Sequence, residues 1–153
     1  TIKSNISLND ENVSDEMVEE ALKTIGADEI LKKYDEGIHT PIANLGENLS
    51  TGERQLLSFA RAMLYNPSIL ILDEATANID TQTEQMIQNA LAVASKDRTT
   101  FIVAHRLSTI RHADQIIVLD GGKIIEQGTH DELIKLGGKY YQMYLSQSNV
   151  TKN

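Results

Sequence analysis

The sequence predicts an α/β fold, in which helices pack on a parallel sheet, preceded by an α-helical subdomain. From Leu49 onward, helical and strand patterns alternate, which is typical of a parallel sheet. The aliphatic run Ile69 to Leu72 is continuous rather than alternating, which favours a strand buried on both faces. Residues 1–50 instead contain eleven acids and four lysines and show helical spacing. We therefore predict helices in the first third of the chain and an alternating α/β region from Leu49 onward.

Two helices are predicted in the acidic first third of the chain. Ser14 is a helix cap followed by acidic residues, and apolar residues then recur at helical spacing: Met17, Val18, Ala21, Leu22 and Ile25. The segment from Asp28 to Tyr34 has a second, shorter helical pattern. We expect the acids of this region to form a solvated surface rather than a recognition surface.

Three later helices begin at pairs spaced as capping boxes, in which a Ser or Thr caps the helix and a Glu three residues later returns the hydrogen bond. The pairs are Ser50 with Glu53, Thr81 with Glu84, and Thr129 with Glu132. The first predicted helix runs to Tyr65, because Pro67 forbids its continuation. The second has an apolar face, made of Met86, Ile87, Ala90, Leu91 and Ala94.

Three further strands are predicted in the second half of the chain. Thr99 to Ala104 forms one, and a helical turn over Ser108 to Ala113 leads to the next, Gln115 to Leu119. The turn Asp120 to Gly122 then returns the chain into a strand at Lys123 to Glu126. The first two of these strands and the strand at Ile69 are the ones that we expect in the parallel sheet.

Composition excludes several classes of protein. The net charge of −8 and the pI of about 4.9 give little electrostatic support to non-specific nucleic-acid binding. The absence of cysteine excludes disulfides, a thiolate nucleophile and cysteine-bound metals. The aliphatic runs are too short for a membrane span. The acidic start of the sequence does not fit a signal peptide. The chain begins at Thr1 rather than at Met, and we expect it to be a piece of a longer protein.

Chemistry is expected beyond the carboxyl ends of the predicted strands, where open parallel sheets bind their ligands. Asp73 and Glu74 follow one strand directly, and His105 follows another. Acids placed directly after four aliphatic residues lie beside a dry core, which favours a functional role over a solvated turn. The other histidines occupy polar loop or helix-start positions and are predicted at the surface: His39, His112 and His130.

Four segments resemble, in order and spacing, the motifs of the nucleotide-binding domain of ATP-binding-cassette transporters. They resemble the signature loop (Leu49–Gln55), the Walker B strand (Ile69–Thr76), the D-loop (Asn78–Asp80) and the H-loop (Ala104–Ile110). The stretch from Ala113 to His130 is similar to the exporter branch of this family. The resemblance covers nearly the whole chain and implies a parallel-sheet, P-loop NTPase-like core with a helical subdomain. It implies that residues 1–66 form the helical subdomain with the signature loop and that residues 67–153 form the C-terminal part of the α/β core.

This resemblance implies an ATPase that uses Mg²⁺. Asp73 would hold the metal ion, Glu74 would orient or deprotonate the attacking water, and His105 would hydrogen-bond the γ-phosphate. Asp80 would lie at the interface of two nucleotide-binding domains and link their sites. An alternative role for Asp80, which does not exclude the first, is the N-cap of the helix that begins near Thr81.

The signature loop is implied to meet the γ-phosphate of ATP held by a second nucleotide-binding domain, in a homodimer or a heterodimer. Free amides at a helix start favour an anion, and a glycine lets the backbone approach it closely. The half-site would comprise Ser50, Thr51, Gly52 and Glu53. The usual family form has Gly in place of Thr51 and Gln in place of Glu53, so we expect weaker ATP trapping here. A capping box without any ligand is the alternative.

The phosphate-binding loop of the family is missing, since no Gly-x-x-x-x-Gly-Lys-Ser/Thr occurs in the sequence. We expect it before Thr1, together with the Q-loop glutamine and the adenine-stacking aromatic residue. In the family's sheet, the strand of that loop lies between the strands that match Thr99–Ala104 and Gln115–Leu119. Unpaired edges are therefore expected there. We expect the chain alone to be inactive, and rearranged, swapped with another copy or poorly stable.

The leading hypothesis is the C-terminal half of the ATPase domain of an exporter, at the cytoplasmic face of the cell membrane. Its partners would be a transmembrane domain and a second nucleotide-binding domain, without nucleic acid. One alternative is the ATPase head of a chromosome-maintenance or DNA-repair protein, where a Glu at the fifth signature position is common. The acidic balance and the lack of heptad repeats argue against it. Another alternative is a non-catalytic interaction module.

Overall fold

A computed structural model describes residues 1–43, 46–73, 80–104 and 106–150 as a mixed α/β structure. Two compact units are present, which we call the first unit (Thr1–Leu72 with Thr76–Phe101) and the second unit (Asp73–Ala75 with Ile102–Asn153). No helix within the described ranges is long and apolar enough to cross a membrane. The predicted boundary between residues 66 and 67 concerns the complete domain and stays a prediction.

The core of the first unit is helical. Its helices are α1 (Ile2–Ser7), α2 (Asp15–Thr24), α3 (Thr51–Tyr65) and α4 (Thr81–Ser95). Helix α3 contacts each of the other three, so it is the centre of this packing. The helices bury their apolar faces against one another, with side chains that include Ile2, Ile6, Val18, Leu22, Leu56 and Leu57. The segment predicted as a second short helix forms a 3₁₀ helix, Asp28–Lys33, and another covers Gly37–His39.

Local hydrogen bonds explain where these helices begin. Ser14 caps α2 as predicted, because its hydroxyl accepts from the Met17 amide at 3.3 Å. The predicted capping box of Thr81 and Glu84 is wrong. Asp80 caps α4 instead, with its carboxylate 2.9 Å from the Thr83 amide, because an acid one residue earlier competes successfully for the free amides.

Strands β1 (Ile69–Asp73) and β2 (Thr99–Val103) form a small parallel sheet. The Thr99 amide donates to the Ser68 carbonyl at 3.2 Å, just before both strands begin. The prediction that the first strand is buried on both faces is wrong here. Leu70 is buried, but Ile69 is 58% exposed and Ile71 is 72% exposed. Alternate side chains point to opposite faces, and no described element covers the second face.

The second unit is built on a hairpin. Strands β3 (Ile116–Asp120) and β4 (Lys123–Gly128) pair antiparallel, from Ile116 opposite Gly128 to Asp120 opposite Lys123. Gly121 and Gly122 form the predicted turn with φ of 54° and 74°, values that suit glycine. Helices α5 (Leu107–Ile110), α6 (His130–Leu136) and α7 (Lys139–Val150) complete the unit. Its core comprises Leu107, Ile116, Val118, Leu133 and Tyr140.

Within the described residues, β2 pairs with β1 alone and β3 pairs with β4 alone. The unpaired edges expected between the strands at Thr99 and Ile116 stay a prediction. Helix α6 begins with the predicted capping box of Thr129 and Glu132. The chain also has two helices that the sequence patterns did not predict, α1 and α7.

The prediction that His130 lies at the surface is wrong. It is only 9% exposed, and its Nδ1 lies 2.9 Å from the Tyr140 hydroxyl. The rings of Tyr140 and Tyr144 contact it edge-on, because α7 covers the first turn of α6. His39 and His112 are exposed as predicted, and His39 pairs with Asp15 at 2.8 Å.

Candidate functional site

Asp73 is the last residue of β1, and its side chain is exposed at the carboxyl end of the strand. This is the position that the sequence predicts for a metal-binding acid. Its two predicted neighbours in the site, Glu74 and His105, lie outside the described residues. No cluster of three His, Cys, Asp or Glu side chains able to hold a metal occurs in the described part of the chain. The convergence of the three residues therefore stays a prediction.

Asp80 performs the capping role that the sequence offered as one of two alternatives. Its carboxylate accepts from the Thr83 amide, and hydrogen bonds from Thr83 lower the pKa of Asp80. The carboxylate is therefore ionised at neutral pH, at the positive end of the α4 dipole. Its second expected role, at a domain interface, stays a prediction.

The signature loop forms the start of α3 through a complete capping box. The Ser50 hydroxyl accepts from the Glu53 amide at 3.1 Å, and the Glu53 carboxylate accepts from the Ser50 amide at 2.8 Å. Leu49 and Gly52 are buried, while Thr51 is exposed. These contacts confirm the predicted capping box, and they hold the predicted half-site residues in one helical turn.

Glu53 directs its carboxylate inward, although the family resemblance drew attention to it as an added charge near a phosphate. It is 6% exposed, and its oxygens lie 2.9 Å from Lys33 Nζ and 3.3 Å from the Tyr34 hydroxyl. Burial alone would raise the pKa of Glu53, but hydrogen bonds from Lys33 and Ser50 outweigh burial and lower it. The negative charge is therefore retained and paired with Lys33.

Arg54 Nη2 donates a hydrogen bond to the hydroxyl oxygen of Thr51 at 3.0 Å. The other terminal nitrogen of Arg54 donates to the carbonyls of Gly46 and Leu49, at 2.9 and 2.8 Å. Gly46 has φ of 94°, and a Cβ there would come within 3.0 Å of the Arg54 side chain. Arg54 thus fastens the loop before α3 to the helix start.

Sequence reasoning did not find Lys33, Tyr34 or Arg54 as residues that support the site. Arg54 follows the signature residues directly, so its position next to the loop was a usable signal. Lys33 and Tyr34 gave no such signal, because they lie about twenty positions before Glu53 in a segment predicted only as a short helix.

Comparison with known proteins agrees with these motifs. A sequence model of the family described as "ABC transporter" matches residues 1–77, half of the chain. The chain belongs to the ABC transporter family. The structure of the chain also matches the solved structure of a bacterial Atm1-family ABC exporter with ATP bound. That match has a TM-score of 0.83 and 41% identity, and it covers 96% of this chain and 26% of the exporter chain.

Two similar proteins of Bacillus subtilis are also named as ABC transporter proteins. The probable multidrug resistance ABC transporter ATP-binding/permease protein YheH is 59% identical over 144 residues, which are 94% of this chain and 21% of that protein. The uncharacterized ABC transporter ATP-binding protein YknV is 52% identical over 147 residues, 96% of this chain and 24% of that protein. This chain thus spans about a quarter or less of these relatives. Their names give no support to the DNA-repair alternative.

Proposed function

We propose that this chain is the C-terminal part of the nucleotide-binding domain of an ABC exporter, and that the complete protein hydrolyses ATP to power transport across a membrane. The observation that carries this proposal is the ordered set of motifs on a fold that matches an ATP-bound exporter over 96% of the chain. The name of one relative includes the words multidrug resistance and permease, and this name also supports a role in transport.

The residues of the chain suit the chemistry of phosphoryl transfer to water. Asp73 presents an exposed carboxylate at a strand end, and such hard oxygen donors suit Mg²⁺, which would neutralise phosphate charge. Glu74 follows it directly and would accept a proton from the attacking water or orient it. His105 would hydrogen-bond the γ-phosphate. Asp80 would face the second nucleotide-binding domain from the start of α4.

The start of α3 supplies the other half of the proposed site. The hydroxyl of Ser50 and the backbone at Thr51 and Gly52 would meet the phosphate of an ATP molecule bound to a second nucleotide-binding domain. Glu53 closes the capping box beneath them. The transmembrane domain of the same transporter would place the complete protein at the membrane, with this chain on the cytoplasmic face. Without a phosphate-binding loop in its 153 residues, the chain alone would be inactive.

The test is a Glu74→Gln change in the complete transporter. The amide keeps the size of the side chain but cannot accept the proton, so ATP binding should survive and turnover should fall by about a hundredfold or more. Glu11→Gln is the matched control, since Glu11 is exposed in the turn between α1 and α2, and it should leave turnover unchanged. Hydrolysis by the Glu74 variant at the parent rate would refute the assignment.

Titration of the complete protein with Mg-ATP separates this proposal from a non-catalytic interaction module. An exporter ATPase binds and hydrolyses the nucleotide, whereas an interaction module does neither. Absence of binding by the folded, complete protein would therefore overturn the proposed function as a whole.

A further inference from the structure

Glu53 is the only acidic side chain that is buried within the described ranges. It lies in the first turn of α3, directly after Gly52, at the helix end that we propose faces a phosphate. Both of its oxygens are bonded: Oε1 to Lys33 Nζ at 2.9 Å, and Oε2 to the Ser50 amide at 2.8 Å. The Tyr34 hydroxyl donates to Oε2 at 3.3 Å. Three hydrogen-bond donors therefore fix the orientation of this buried carboxylate, unlike that of an acid in an exposed surface ion pair.

Lys33 is the only cation that contacts this carboxylate among the described residues. It ends the 3₁₀ helix Asp28–Lys33, and its side chain is 65% exposed, so charge rather than packing holds it over Glu53. The hydrogen bond to Glu53 is the main cause of the raised pKa of Lys33. Lys33 is thus electrostatically linked to one of the residues predicted for the site.

The charge of Glu53 has a consequence for any phosphate bound at the start of α3. A helix start attracts anions, and a carboxylate in the first turn satisfies part of that attraction itself. An unpaired carboxylate there would also repel a phosphate, all the more because it is buried and poorly screened. The usual Gln at this position carries no charge and would need no cation beside it.

We propose that Lys33 is a positioning residue of the nucleotide half-site, which acts through Glu53 to keep the start of α3 receptive to the ATP phosphate. By pairing with the carboxylate, Lys33 cancels its charge and keeps it turned away from the exposed edge of the loop. Tyr34 holds the second oxygen in the same orientation. The chain thereby compensates for the acidic residue in its signature loop. This inference rests on the proposed function.

The experiment measures ATP turnover by the complete transporter as a function of ATP concentration. Lys33→Met should raise the KM for ATP by about tenfold with kcat nearly unchanged, because an unpaired charge repels the phosphate in ground state and transition state alike. Higher salt should change this effect little, because the Glu53 carboxylate is buried and poorly screened. Glu53→Gln is the reference for the double change, because it removes the carboxylate that Lys33 pairs with. The double change Lys33→Met with Glu53→Gln should return the KM to that of Glu53→Gln alone.

Matched controls separate electrostatics from damage to the fold. Lys32→Met removes a neighbouring surface cation that pairs with Glu29 instead, and it should leave the KM unchanged. Lys33→Arg keeps the charge and should behave as the parent. Glu53→Asp keeps the negative charge but draws it away from Lys33, so it should raise the KM even if Lys33→Met does not fold.

The outcomes distinguish this inference from the proposed function. If the parent hydrolyses ATP in a Glu74-dependent manner but Lys33→Met and Glu53→Asp keep the parent KM, the role of Lys33 is refuted and the proposed function stands. A KM in the double variant as high as in Lys33→Met also refutes it. If the parent shows no Glu74-dependent hydrolysis, the proposed function itself fails.

Discussion

The helical core of the first unit and the strands β1 and β2 differ sharply in how completely the chain covers them. Leu22 and Leu56 in the helices are almost completely buried, whereas Ile69, Ile71 and Phe101 in the strands are all more than half exposed. The helices find apolar partners on one another within the chain. The strands present aliphatic and aromatic side chains that the described residues leave uncovered.

Hydrogen bonding of polar groups also differs between regions of the described structure. In the signature loop, Glu53 has three donors and Arg54 has three acceptors, so the loop is bonded within the chain itself. Outside that loop, three hydroxyls of the described residues are buried without a hydrogen-bond partner, those of Thr40, Ser95 in α4 and Thr100 in β2. The proposed phosphate-facing helix start is therefore held by hydrogen bonds within the described residues, both from its own turn and from Lys33 and Tyr34. The sheet, in our proposal, depends on the rest of the nucleotide-binding domain for its cover.

The largest expected effect tests the difference in burial directly. In this chain, Leu22→Ala should lower the free energy of unfolding by about 2–5 kcal/mol, because it removes a fully buried side chain from the helical core. Ile71→Thr should change it by no more than about 0.5 kcal/mol, because Ile71 is exposed. Urea unfolding followed by circular dichroism measures both.

The same unfolding experiment tests the expectation that uncovered strands make the isolated chain associate or rearrange. The midpoint should depend on protein concentration. A cooperative monomeric transition at every concentration would contradict that expectation. Equal losses from Leu22→Ala and Ile71→Thr would contradict the contrast in burial.

A smaller effect is expected at the start of α4. Asp80→Ala should lower the temperature of unfolding by roughly 2–4 °C, because the Thr83 amide loses its capping acceptor. Asp80→Asn keeps a side-chain oxygen at the same position and is the matched control, with a loss of about 1 °C or less. Thermal unfolding of the three proteins measures the difference. If the Asn and Ala variants lose the same stability, the cap is not what Asp80 contributes to the fold.

The smallest expected effect is the pH dependence of the Lys33–Glu53 pair. The pKa of Glu53 is lowered from 4.5, so its stabilisation is present above pH 4.5 and is lost as the pH falls through the folded-state pKa. The pKa of Lys33 is raised from 10.5, so its contribution is present below pH 10.5 and is lost as the pH rises through the folded-state pKa. Unfolding of the parent and of Glu53→Gln across this range measures the pair.

The stability difference between the parent and Glu53→Gln should be constant between these limits and should shrink at both ends. A difference that grows as the pH falls below 4.5 would contradict the lowered pKa of Glu53. Such a result would also weaken the contrast between the bonded loop and the uncovered strands, because the loop would then contain an unpaired acid.

The sequence predicted those features that depend on neighbouring residues. The capping boxes at Ser50 and Thr129 and the hairpin turn at Gly121 and Gly122 follow from short-range spacing and backbone geometry. The capping box at Thr81 failed because Asp80, one residue earlier, is the better acceptor. A spacing rule does not weigh two caps that compete for the same amides.

Features that depend on distant residues could not be predicted in the same way. The contact of Lys33 with Glu53 joins residues twenty positions apart, and no periodicity marks it. His130 is buried because α7 packs over it, and α7 was not predicted. The exposure of Ile71 reflects whether a second layer covers the strand, which a run of aliphatic residues does not specify.

The most direct test of the account is a structure of the complete transporter carrying Glu74→Gln, determined with Mg-ATP. We predict a nucleotide held between two nucleotide-binding domains, with Asp73 of one beside the metal and the α3 start at Ser50 and Gly52 of the other against the γ-phosphate. Lys33 should remain paired with Glu53. ATP bound away from these residues, or domains that never enclose it, would contradict the account.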